Sequence, residues 1–212
     1  MAAGAALADE LGYEHLAMGL LAERLGVRTP SLYKHVESQD ALCRGISDLA
    51  KHELRDVLAR ATVAQAGPAA VRAYSNAFRR WVRQHPGRYA ASVRAPAADD
   101  QAGRRISDEH LEILYAVLAS FDLSGNRAVD AARGLRSALH GFVTLENLGG
   151  FGLSRAVDRS FRFLIDSLSA GLRAGPDGDD AARPERADDH DGSLREYHDR
   201  RPGKRPPRRT TS

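Results

Sequence analysis

Arg28, Thr29, Ser31, Tyr33, Lys34 and His35 fall in one run, R-T-P-S-L-Y-K-H. They offer a guanidinium, two hydroxyls, a phenol, an ammonium and an imidazole, with no carboxylate among them. Donors of this kind on a short helix suit phosphate oxygens and the base edges of a major groove. Arg28 can grip a guanine through two parallel hydrogen bonds, worth about 1–3 kcal/mol of discrimination; as a plain turn residue it would be solvated. Tyr33 and His35 equally suit packing within a small domain with only their polar tips outside.

The surrounding residues predict how this run is held. Met18, Leu21, Ala22 and Leu25 recur at helical spacing and form an apolar stripe. Gly26 follows at once, where a left-handed residue closes a helix. Thr29 then offers a hydroxyl as N-cap, and Pro30 takes the first helical position. The second helix runs to about His35, with Leu32 and Val36 turned inward. The pattern is helix, tight turn, helix.

These residues carry a resemblance. L-A-D-E-L-G-Y-E-H-L, L-A-E-R-L-G-V, P-S-L-Y-K-H-V and D-A-L, spread over residues 5–50, resemble the DNA-binding domain of TetR-type transcriptional repressors. The resemblance implies an all-α fold: a three-helix helix-turn-helix head, residues 1–50, and a helical ligand-binding and dimerisation body, residues 51–173. It places Arg28, Thr29, Pro30, Ser31, Tyr33, Lys34 and His35 at or near the major groove. The family's first helix is longer, so this chain is expected to start part-way along it. Ala17 stands where the family commonly has a Ser or Thr cap, forfeiting a bond of roughly 0.5–2 kcal/mol.

Charge alone does not point to DNA. The formal total is +3, but six basic residues lie from Arg200 onward without an acid, leaving −3 for the rest. Within residues 1–50, Arg24, Arg28, Lys34 and Arg44 face seven acidic residues. Local placement points to DNA instead, with Arg28 and Lys34 flanking the reading helix. A single cysteine, Cys43, excludes an intrachain disulfide and suits a reducing interior. No apolar run approaches the ~20 residues that span a bilayer, and no signal segment opens the chain, so a cytoplasmic protein is expected.

Past the head, Ser38 is expected to cap a long connecting helix that keeps apolar spacing to about Ala61. Further helices are predicted over 68–85, 88–94, 104–121, 126–148 and from Ser154 to the end of the body. Residues 96–103 read as a loop. The segment L-R-S-A-L-H-G-F-V-T-L-E-N-L-G-G-F-G-L, residues 135–153, resembles the body of a TetR subgroup marked by a Trp-His-Gly triplet, with Leu139 in place of the tryptophan. That resemblance implies a four-helix dimer interface built from the last two helices of each subunit. A body of this size can enclose a cavity, for which Trp81, Tyr89, His110, Tyr115, His140 and Phe142 are the candidates, with Phe151 beside them. The same aromatics also suit a plain core, and the histidines satisfied core positions. Residues 174–212 lose apolar periodicity and read as a disordered tail.

No enzyme is predicted. The eight histidines fall at no metal-ligand spacing, no glycine-rich phosphate loop follows a strand, and no Ser/His/Asp or Cys/His set is recognisable. No cofactor is expected. The reading is a homodimeric regulator of a palindromic operator in double-stranded DNA, released by a small-molecule effector and independent of membranes. The alternatives are a constitutive helix-turn-helix binder and a helical small-molecule-binding protein or enzyme with a degenerate head.

Overall fold

A computed structural model describes residues 1–93 and 100–174, whose regular structure is all helix, as the pattern predicts. The order is α1 Ala2–Leu11, a 3₁₀ turn Tyr13–His15, α2 Met18–Arg24, α3 Thr29–Leu32, α4 Gln39–Thr62, α5 Gly67–Gln84, α6 Pro86–Ser92, α7 Gln101–Leu118, a 3₁₀ turn Ala119–Phe121, α8 Gly125–Asn147 and α9 Val157–Ala174. Of the expected 96–103 loop, residues 101–103 are already helical, Asp100 caps that helix through the Gly103 N–H, and residues 96–99 lie outside the described residues. Of the tail expected over 174–212, Ala174 instead ends α9, and residues 175–212 lie outside the described residues.

Two apolar clusters organise these helices. Ala5, Leu7, Leu16, Met18, Leu21, Ala22, Leu32, Leu42 and Ile46 form the first, beneath the predicted reading run. The second gathers α5, α7, α8 and α9 around Leu54, Leu58, Val71, Phe78, Leu118, Leu139 and Phe161. The long helix α4 serves both, giving Leu42 and Ile46 to one and Ala50, Leu54 and Leu58 to the other. Its start is fixed as predicted: Ser38 Oγ accepts the Ala41 N–H at 3.0 Å.

The first cluster also takes Ala91, from α6. Gly87 explains how α6 gets so close to α1. A Cβ on Gly87 would stand 2.0 Å from the Ala8 carbonyl oxygen, so only glycine lets the two backbones meet. Next to this contact the Asp9 carboxylate accepts the Arg88 backbone N–H at 2.8 Å. Arg88 Nε lies 3.0 Å from the same carboxylate but out of line for a hydrogen bond, and its Nη1 donates to Glu53 at 2.9 Å.

At the other end, Arg79 of α5 joins α8 and α9. It donates to both oxygens of Glu146 at 2.7 and 2.6 Å and to Asp158 at 2.7 Å, over the face of Phe161 at 4.7 Å. Both Arg79 and Glu146 are nearly buried, so neither charge could stand there alone. Among the described residues no helix is long and apolar enough to cross a membrane.

Candidate nucleic-acid interface and body cavity

The turn before the reading run is made as the sequence implies. Gly26 adopts φ 67°, the Val27 N–H returns to the Ala22 carbonyl at 3.0 Å, and the Gly26 N–H to Glu23 at 3.0 Å. This paired pattern closes α2 and reverses the chain. Leu25, expected on the buried stripe, is instead 47% exposed, because it sits at the reversal itself.

The register of α3 differs by one residue from the prediction. Arg28, not Thr29, is the N-cap, with extended backbone and no side-chain bond. Pro30 is then second in the helix, where its missing N–H still costs nothing, since that amide has no intrahelical acceptor either. The helix also stops early, at Leu32. Tyr33, Lys34 and His35 continue as tighter turns, with the His35 N–H on the Leu32 carbonyl at 2.9 Å and the Lys34 N–H on Ser31 at 3.3 Å.

This packing leaves the polar run outside. Leu32 alone is buried, at 7% exposure. Arg28, Pro30, Ser31, Tyr33, Lys34 and His35 are exposed and Thr29 is half-buried. Their side chains make no hydrogen bond or ion pair with the described residues, so the donors are available. The acids mostly lie elsewhere: Glu10 is tied to Arg24, and Asp9 to Arg88.

The loss of a cap at Ala17 is made good from α4. Gln39 Oε1 accepts the Met18 N–H at 3.0 Å, and its Nε2 donates to the Leu16 carbonyl at 2.6 Å. One long-range amide thus satisfies the start of α2 and locks the head helices to α4. Nothing in local spacing reveals this partner, which stands 21 residues away.

The body encloses a cavity of about 480 Å³ between α4, α5, α6, α7 and α8. This lies in the ~300–1,000 Å³ range of small-molecule sites. Of the six predicted residues it brings together Tyr89, His110 and His140. Trp81, Tyr115 and Phe142 do not line it. Trp81 is buried in the core against His85; Tyr115 faces outward from α7; Phe142 stacks on Phe151 and Phe161 beside Arg79. Helical spacing could not separate an aromatic facing a void from one facing packed neighbours.

Two tyrosine–histidine pairs furnish the walls. Tyr89 Oη lies 2.7 Å from His140 Nδ1, and Tyr74 Oη 3.3 Å from His110 Nε2. Burial pushes the Tyr89 phenol up to about 12 and raises Tyr74 further, so both stay protonated. Burial, with the nearby positive charge of Arg136, lowers His110 to about 4, so its ring is neutral. Tyr74, Lys51, Arg136, Ser107 and Ser137 are lining residues that sequence reading missed. Lys51 did leave a trace: it shares helical spacing with Leu54 and Leu58, a cation in an apolar stripe. Among the described residues, no group of His, Cys, Asp and Glu is placed to hold a metal.

Comparison with known proteins agrees with this geometry. Residues 71–168 match the family model described as the tetracyclin repressor-like C-terminal domain. The helix-turn-helix-type transcriptional regulator Rv0681 of Mycobacterium tuberculosis is 34% identical over 165 residues, 77% of this chain and 75% of that protein. YobS of Bacillus subtilis, also a helix-turn-helix-type transcriptional regulator, is 27% identical, covering 80% of this chain and 88% of its own. Among solved structures, a TetR variant from Acinetobacter baumannii AYE in complex with minocycline superposes with a TM-score of 0.60 at 24% identity, over 82% of this chain and 93% of that one. Head, body and relatives agree: this chain belongs to the TetR-type family of helix-turn-helix regulators and is a DNA-binding regulator of transcription.

Proposed function

We propose that the chain is a cytoplasmic repressor that holds a palindromic operator as a homodimer and leaves it when a small molecule fills the body cavity. In this reading residues 1–50 are the DNA-binding head and 51–173 the sensing and dimerising body. Arg28, Thr29, Pro30, Ser31, Tyr33, Lys34 and His35 face the DNA. Tyr33, Lys34 and His35 touch phosphates, while Arg28 and Ser31 reach base edges. Tyr89, His110 and His140 meet the effector.

The observation that carries this reading is the placement of α6. Tyr89 on this short helix lines the cavity, while Gly87, Arg88 and Ala91 press against α1 and the first apolar cluster. A ligand that displaces Tyr89 must therefore act on the helix that holds α1. The minocycline complex of the Acinetobacter protein gives a precedent for a ligand in a fold of this kind. Apolar side chains left exposed along α8, α9 and the segment between them, Leu145, Leu148, Leu153 and Phe163, support a second copy of the chain as the partner.

The experiment is a two-stage screen. Compounds that raise the melting temperature of the intact protein are tested for release of a selected operator by fluorescence anisotropy. The reading expects stabilising compounds to weaken operator binding. Compounds that stabilise the protein strongly yet leave operator affinity unchanged would show a constitutive DNA binder.

A further inference from the structure

We propose that the cavity takes an amphipathic organic anion, its acid group held by Lys51 and Arg136 and its hydrocarbon part against Leu54, Phe78 and Leu139. This inference rests on reading the cavity as the effector site and adds the chemical class of the effector.

The charge of the walls carries it. Three cations line the cavity, Lys51, Arg133 and Arg136, and among the described residues no Asp or Glu does. Arg133 and Arg136 reach solvent at the rim, whereas Lys51 is only 8% exposed. Lys51 makes no hydrogen bond and no ion pair with any described residue. Asp48, one turn back on α4, interacts with it electrostatically but lies outside the lining. The Lys51 stem is buried while its ammonium stays open to the cavity and unbonded, so it is a ready charged donor for a bound anion. Arg136 is close enough to act on Tyr74, Tyr89 and His110. Among the described lining residues no carboxylate is present to pair with it.

The remaining polar groups agree. The neutral His110 adds no competing charge and, with the protonated tyrosines and the wall serines, can bond an acid group from its flanks. A cationic ligand would meet three like charges, and a purely neutral one would leave Lys51 unpaired. Leu54, Phe78 and Leu139 are buried and offer the apolar wall that an ion alone would not need.

The test uses two fluorescent probes with one skeleton, 8-anilinonaphthalene-1-sulfonate and N-phenyl-1-naphthylamine, which lacks the sulfonate. Each is titrated into the intact chain and into a Lys51→Met, Arg136→Met variant whose helical signal is checked first. The expected result is at least about tenfold tighter binding of the anionic probe to the unmodified chain, as one desolvated charge contact supplies. In the variant that preference disappears while the neutral probe binds as before. Competition by decanoate, decyl phosphate and decanamide then ranks the acid groups. The inference is overturned if the neutral probe binds as tightly as the anion, if the preference survives both substitutions, or if neither probe binds. Operator release is read separately. If a neutral compound frees the DNA and no anion does, the effector reading stands and the anion falls. If the anion preference holds while operator affinity never moves, the reverse is true.

Discussion

Lys34 and Tyr33 are exposed on the head with no hydrogen-bond or ion-pair partner among the described residues, and both predict losses that do not depend on DNA sequence. Lys34→Ala should weaken binding to all sequences alike and lower the slope of log affinity against log salt by about 1, the mark of one lost phosphate contact. Tyr33→Ala should weaken binding uniformly too, whereas changes at Ser31 should alter which bases are preferred. Anisotropy titrations at several salt concentrations on matched and mismatched duplexes check all three. His110 makes a separate prediction at this scale. Its pKa falls to about 4 in the folded chain against an ordinary 6.5, so the unfolded chain binds the extra proton between those values. Stability is therefore lost as pH drops from 6.5 toward 4, by at most about 3 kcal/mol. Denaturant melts of His110→Gln should show a shallower slope across that window than the unmodified chain.

At the scale of elements, α6 is the helix whose position matters most. Gly87→Ala puts a methyl into the backbone of α1 and should cost about 1–3 kcal/mol, or push α6 away from the head. Chemical denaturation measures the first, and operator affinity reports the second. Much of this architecture was readable. The Gly26 turn, the Ser38 cap and the apolar stripes of α4, α5, α8 and α9 are local patterns, and local patterns survive folding. The register of α3 was less so, because proline fits either of the first two helical positions and leaves Arg28 or Thr29 as the cap. Gln39 capping α2, Gly87 meeting Ala8 and Lys51 facing a cavity are long-range events. Spacing within one helix says which face is apolar, but not whether packed atoms or an empty chamber lie opposite.

For the molecule as a whole, α4 and α6 connect what reads DNA to what encloses a cavity. Leu42 and Ile46 of α4 sit in the first apolar cluster and Lys51 lines the chamber one and a half turns further on. The account as a whole requires the run from Arg28 to His35 to be presented twice, to two major grooves of one duplex. Selection of bound sequences from random DNA by the intact chain tests this most directly. The predicted result is one enriched inverted repeat, its half-sites one helical turn of roughly 34 Å or a multiple apart, bound far more weakly after Arg28→Ala with Lys34→Ala. No enrichment, or an enriched site that the double variant binds as tightly as the unmodified chain, would contradict it.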